Sequence, residues 1–83
     1  MKIVFKTTTA LAKYLPRNAP NNTAQIDIAD SATPEDVLVF QGLPAGINYL
    51  VTVNDILVRP SERQTFQLSE GDTVSVLPPL KGG

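Results

Sequence analysis

One stretch of this chain carries the marks of an α-helix, and it is short. Thr33-Pro34-Glu35-Asp36 opens it. Thr33 can cap the first free N–H groups, Pro34 suits the first helical position, and two acids favour the positive end of the helix dipole. Val37, Leu38 and Phe40 supply the apolar side, with Val37 and Phe40 spaced three apart. Gly42 is placed to end the helix in a left-handed conformation, and Pro44 follows it. The segment holds about two to three turns. Everything else with a clear period is extended. A single short helix must therefore cover one face of one sheet, because no other element can.

The extended segments are read from alternation. Lys2-Ile3-Val4-Phe5-Lys6 predicts a first strand with Ile3 and Phe5 on one face and Lys2, Val4 and Lys6 on the other. Thr7 to Asn22 reads as a long connector, with a helical turn around Leu11, Tyr14 and Leu15 before Pro16 and Pro20. Thr23 to Ile28 alternates with Ile26 and Ile28 inward. Tyr49 to Val53 is the third strand, and Asn54-Asp55 marks a tight turn into Ile56-Leu57-Val58, a short edge strand that Pro60 ends. Thr65 to Leu68 reads as another short extended piece, and Glu70-Gly71-Asp72 turns the chain. Thr73 to Leu77 is the last strand, with Val74 and Val76 inward and Thr73, Ser75 and Leu77 outward, and Pro78 stops its pairing. The class is α+β, a mixed sheet of four to five strands with one main helix on one face. That order is the β-grasp, or ubiquitin-like, arrangement, in which the first and last strands lie side by side at the sheet centre.

At 83 residues the chain is one domain. A net charge of −1 argues against a broad nucleic-acid surface. The sequence has no cysteine and no histidine, which removes thiol nucleophiles, imidazole chemistry and the usual zinc ligands. No metal site is expected. The longest apolar run, Val37 to Phe40, is far too short to span a bilayer, and the absence of an apolar leader points to a cytoplasmic protein. Charge is uneven: Lys2, Lys6, Lys13 and Arg17 precede any acid, then Asp27, Asp30, Glu35 and Asp36 follow with no base among them. The pattern fits two solvated faces or a docking dipole.

The chain divides into a folded part, residues 1–77, and an extended tail, residues 78–83. Pro78-Pro79 stiffens the start of that tail, and Gly82-Gly83 ends it. With so few reactive groups elsewhere, the α-carboxylate on Gly83 is the chemical handle. Glycine lacks Cβ, so a partner can draw Gly82 and Gly83 through a narrow channel without side-chain clash. The two prolines hold the tail extended and lower the entropy lost on capture. A Gly-Gly end also fits a plain chain terminus.

Nearly end to end, the sequence resembles the MoaD/ThiS sulfur-carrier family. The residues that carry the resemblance are Ala10-Leu11, Tyr14-Leu15-Pro16, Thr33-Pro34, Val51-Thr52-Val53-Asn54, Gly71-Asp72 and Leu77-Pro78-Pro79-Leu80-Lys81-Gly82-Gly83. The Pro-Pro pair is more similar to the small subunit of molybdopterin synthase than to the thiamine thiazole carrier. The resemblance implies a cycle. A ubiquitin-activating-type adenylyltransferase, which binds the MgATP, activates the Gly83 carboxylate. A sulfur donor such as a persulfide enzyme then leaves a thiocarboxylate, and a sulfur-accepting synthase subunit takes the sulfur for a molybdopterin- or tungstopterin-type cofactor. The chain itself is not an enzyme in this cycle and binds no cofactor, in keeping with its lack of a Gly-rich phosphate loop.

The residues expected to meet partners are Leu77, Pro78, Pro79, Leu80, Lys81 and Gly82, joined by Val4 and Leu57 on the sheet face away from the helix. Lys6 stands near a position where some relatives carry an aromatic, and Lys81 suits either solvent or an adenylate phosphate. Three readings stay open from the sequence: a sulfur carrier, for pterin or for thiazole; a ubiquitin-like modifier joined to lysines through the same tail; and an interaction module with an inert end.

Overall fold

The computed structural model describes residues 1–15, 19–44 and 46–79. Pro16 and Arg17 of the first connector, and Leu80, Lys81, Gly82 and Gly83 of the tail, lie outside the described residues.

Five strands and one α-helix form the described fold: β1 (Lys2–Thr7), β2 (Thr23–Asp27), α1 (Pro34–Phe40), β3 (Leu50–Val53), β4 (Ile56–Val58) and β5 (Thr73–Leu77). The sheet order is β2-β1-β5-β3-β4. β1 and β5 run parallel in the middle, and every other pair is antiparallel. The expected central placement of the first and last strands is therefore observed. The hydrophobic face buries Ile3, Phe5, Val51, Val74 and Val76 completely, with Val37 of α1 packed on them. Each fully buried side chain of this size stabilises the fold by about 1.5–3 kcal/mol.

The helix starts as the sequence predicts. Thr33 Oγ1 accepts from the Asp36 N–H at 3.3 Å, and Asp36 Oδ2 accepts from the Thr33 N–H at 2.9 Å, a reciprocal capping box. Gly42 takes φ +78°, so the chain can leave α1 at a conformation costly for residues with a Cβ. The buried face differs from expectation. It consists of Pro34, Val37 and Leu38, while Phe40 is 59% exposed. At seven residues the helix is only about two turns long. Pro34, Val37 and Leu38 centre the buried stripe, and the rotation of roughly 100° per residue carries Phe40 to its flank.

The second departure is Thr65 to Leu68, which joins no ladder. The Thr65 and Phe66 N–H groups both donate to the Glu62 carbonyl, which curls the chain. Only Leu68 is anchored, buried and donating its N–H to the Ala32 carbonyl at 2.8 Å. The predicted turn around Leu11 is a 3₁₀ helix, Thr9–Tyr14, and Leu11 plugs the core from it.

Arg63 is the unexpected core residue, 8% exposed. Its Nη2 donates to the Tyr49 carbonyl, and its own carbonyl accepts from the Glu35 N–H at 3.0 Å. One residue thus ties the start of α1 to the approach to β3. Burial pushes the Tyr49 hydroxyl above its ordinary value of 10.0, and the neighbouring Tyr14 adds to the shift.

Candidate functional site

The tail grows from the middle strand of the sheet. β5 is paired on both sides, with β1 and with β3. Val76 stands opposite Thr7 on one side and Val51 on the other, and Leu77 stands opposite Leu50. Thr7 fixes this end further: its Oγ1, in a buried side chain, donates to the Val76 carbonyl at 2.6 Å. Thr7 extends the inward alternation of Ile3 and Phe5, so β1 runs one residue into the expected connector. Pro78 follows at once, half-buried and outside the ladder, and Pro79 is exposed. A proline lacks the N–H that a ladder needs. The exit of the tail is therefore held by two neighbouring strands up to Val76, by β3 alone at Leu77, and released at Pro78.

The sheet face away from α1 presents Leu77, which is 36% exposed. Its direct cross-strand neighbour is Leu50, half-buried on β3. These two leucines form the apolar group at the root of the tail. Leu50 was missed by sequence reasoning, though it occupies an outward position between the inward Tyr49 and Val51. Its partner could not be found without the register.

Val4 and Leu57 lie on that same face, but apart from Leu77. Val4 pairs with Thr73, four residues before Leu77 along β5, an offset of ~13 Å. Leu57 pairs with Thr52 and belongs to the row Thr23, Lys6, Ser75, Thr52, Leu57. That row is polar in its middle, so the face holds the Leu50–Leu77 pair, an exposed Leu57 on the edge strand and a half-buried Val4 on the far side of Lys6 and Ser75. A single stripe through all the named residues is not formed. Leu80, Lys81, Gly82 and Gly83 lie outside the described residues, and the geometry ends at Pro79.

Chemically, this end of the molecule offers an apolar contact beside the point where the chain leaves the ladder. Lys6 is exposed beside Ser75 and contributes a positive charge to the face. No helix among the described residues is long and apolar enough to cross a membrane.

The fold has several relatives among solved structures. SAMP1 from Haloferax volcanii superposes with a TM-score of 0.66 at 19% identity, covering 100% of both chains. The Haloferax volcanii HVO 2177 protein gives a TM-score of 0.77 at 22% identity, covering 100% of this chain and 87% of its own. A chain from the complex of subunits 1 and 2 of molybdopterin-converting factor from Helicobacter pylori gives 0.59 at 18% identity, with 100% of both chains covered. No curated protein sequence matches the chain significantly. At these identities the likeness establishes the β-grasp fold. The sequence itself establishes more, because the profile of the ThiS family matches residues 15–83, from the first connector through β5 and the whole tail. The chain belongs to the ThiS family of ubiquitin-like sulfur carriers.

Proposed function

We propose that this protein carries sulfur on its C-terminal glycine for the biosynthesis of a molybdopterin- or tungstopterin-type cofactor. The observation that carries the reading is the family match running through the Pro78-Pro79 stem to Gly83, on a tail rooted in the central strand of the sheet. A carboxylate is a poor electrophile. A partner adenylyltransferase with bound MgATP joins the Gly83 carboxylate oxygen to the α-phosphorus of ATP, and diphosphate leaves. A persulfide sulfur then attacks the activated carbonyl carbon, and AMP leaves. A thiol cleaves the resulting sulfur–sulfur bond and is itself oxidised to a disulfide, freeing the thiocarboxylate.

In this scheme the chain contributes no acid or base. It supplies binding surface at Leu77, Leu50 and Pro78, and a thin lead of Leu80, Lys81, Gly82 and Gly83 into the partner's channel. A synthase subunit that accepts the sulfur is the second partner, in keeping with the molybdopterin-converting factor relative, which is a complex of two subunits. The favoured acceptor pathway rests on the Pro-Pro stem, and a thiazole pathway is the alternative destination for the same sulfur. A second reading, attachment of Gly83 to lysines of other proteins, is favoured by the relative named a small archaeal modifier protein.

Incubation with the cognate adenylyltransferase, MgATP and a persulfide donor, followed by intact mass spectrometry, tests the proposal. The expected product first carries an adenylate and then one oxygen replaced by sulfur. Adenylation with no sulfur uptake, and isopeptide products in its place, would favour the modifier reading. No adenylation would leave only the inert-module reading.

A further inference from the structure

The helix leaves two large apolar side chains in water: Val39 is 70% exposed and Phe40 59%. They form one wall of a groove. Met1, Ile28, Ala29 and Ala32 supply the rest of its apolar lining, and Asp27 and Asp36 line it as well. The groove runs between α1 and the end of β2, and β2 is an outer strand of the sheet.

The backbone of β2 gives this groove a direction. Met1 and Ile28 exchange both hydrogen bonds, Ile28 N–H to Met1 carbonyl at 2.9 Å and the Met1 ammonium to Ile28 carbonyl at 2.7 Å. In an antiparallel ladder such pairs alternate. Ile26 and Ala24 therefore turn their N–H and C=O groups toward β1, and Gln25 and Asp27 turn theirs out of the sheet. An open strand edge of this kind is a template for another extended chain.

Charge narrows the choice of occupant. Among the described residues Asp27 and Asp36 line the groove, and Lys2, the cross-strand neighbour of Asp27, stands beside it on the outer face of the sheet. The ammonium of Met1 is already engaged by the Ile28 carbonyl and by Asp30 at 3.2 Å. On the helix side an acidic segment would meet the like charge of Asp36, and a basic one would be attracted.

We propose that this groove docks an extended segment of a partner protein, which adds a strand to the edge of β2, sets apolar side chains against Ile28, Val39 and Phe40, and carries lysine or arginine beside Asp27 and Asp36. This surface is separate from the tail. β1 spans six residues between the groove at its start and the Thr7–Val76 contact at its end, ~20 Å of strand. The apolar wall of the groove, Ile28, Val39 and Phe40, also lies on the helix side of the sheet, opposite Leu77 and Leu50. A partner held here leaves the tail free, so binding at the groove does not depend on the carrier reading.

The test is selection of a displayed library of random short peptides on the full-length protein, with counter-selection on Phe40→Glu. Enriched peptides should show an apolar run flanked by lysine or arginine. They should bind wild type about tenfold more tightly than Phe40→Glu or Asp27→Lys, and bind Leu77→Glu as well as wild type. Amide shifts and new exchange protection should centre on Gln25, Asp27 and α1. Absence of any peptide that separates wild type from Phe40→Glu overturns the proposal. So do enriched acidic peptides, or shifts centred on Leu50 and Leu77. A concentration-dependent dimer that Phe40→Glu dissolves would also overturn it, by assigning the groove to a second copy of the chain.

Discussion

Leu77 is distinguished by its position more than by its size. Its strand is fixed on both sides, its side chain is partly in water, and its cross-strand neighbour is another leucine. Leu77→Glu should therefore leave the fold intact, with stability within about 0.5 kcal/mol of wild type. Binding to the proposed activating partner should fall sharply, since a carboxylate desolvated without a partner is costly. Circular dichroism paired with calorimetric titration checks both halves; unchanged binding would remove Leu77 from the interface. Tyr49 offers a second residue-scale prediction. Its hydroxyl ionises less readily in the fold than in the unfolded chain, because burial opposes the charge. The raised folded value means its contribution is fully present below the unfolded value of 10.0 and is lost as pH rises through the folded one. Wild type should lose stability across that window faster than Tyr49→Phe in chemical denaturation at stepped pH. Parallel slopes would mean that Tyr49 is not the linked group. What was legible at this scale was alternation: Ile3, Phe5, Val74 and Val76 were placed inward from pattern alone and are fully buried. Arg63 was not legible, because a guanidinium gives no apolar signal and its use as a buried donor depends on where the Tyr49 carbonyl lands.

Among the elements, α1 and the segment after β4 depend on one another. The Glu35 N–H near the helix start donates to the Arg63 carbonyl, and the Arg63 side chain reaches across to Tyr49. Arg63→Ala should destabilise the protein by about 1–3 kcal/mol, the cost of leaving a buried carbonyl without its donor. Arg63→Lys should recover little, because an ammonium on a flexible stem does not reproduce the planar guanidinium whose Nη2 reaches the Tyr49 carbonyl. Urea titration of the three proteins measures it, and a full rescue by lysine would point to charge alone. Element boundaries were readable where punctuation is local: Thr33-Pro34 opens α1, Gly42 closes it, and the Asn54-Asp55 turn, with φ of +51° and +68°, joins β3 to β4. The face of α1 was harder. Val37, Leu38, Val39 and Phe40 are all apolar, so the pattern alone does not choose a side, and Phe40 was assigned inward when the sheet lies elsewhere. The candidate site was legible in the same uneven way. Leu77 and its strand came from alternation, whereas its neighbour Leu50, and the separation of Val4 and Leu57 from both, follow from non-local pairing that a single sequence does not encode in any short window.

On the scale of the whole molecule, the proposed function gives the body and the tail separable duties, and Gly83 tests the division. The hydrophobic core draws on residues up to Val76, and Thr7 clamps the Val76 carbonyl just before the tail begins. Deleting Gly83 or appending one residue should therefore leave the thermal transition almost unmoved. Activation should be abolished in both. Deletion draws the reactive carbonyl back by one residue, about 3.3–3.6 Å of extended chain. Reaction with a phosphorus atom needs an approach of about 3–3.5 Å, so that shift takes the carboxylate out of range. An appended residue puts a different carboxylate at the end and forces the tail deeper into a channel shaped for backbone. Gly82→Val should be nearly as severe, because it adds a branched side chain where the proposed channel admits none. Each variant is incubated with the adenylyltransferase and MgATP, and adenylate formation is read by intact mass beside a melting curve. Loss of adenylation with an unchanged melt locates the chemistry at the terminal glycine. Equal adenylation of the shortened, lengthened and wild-type chains would remove the reason for the tail, and the body of the protein would have to act through its surface alone.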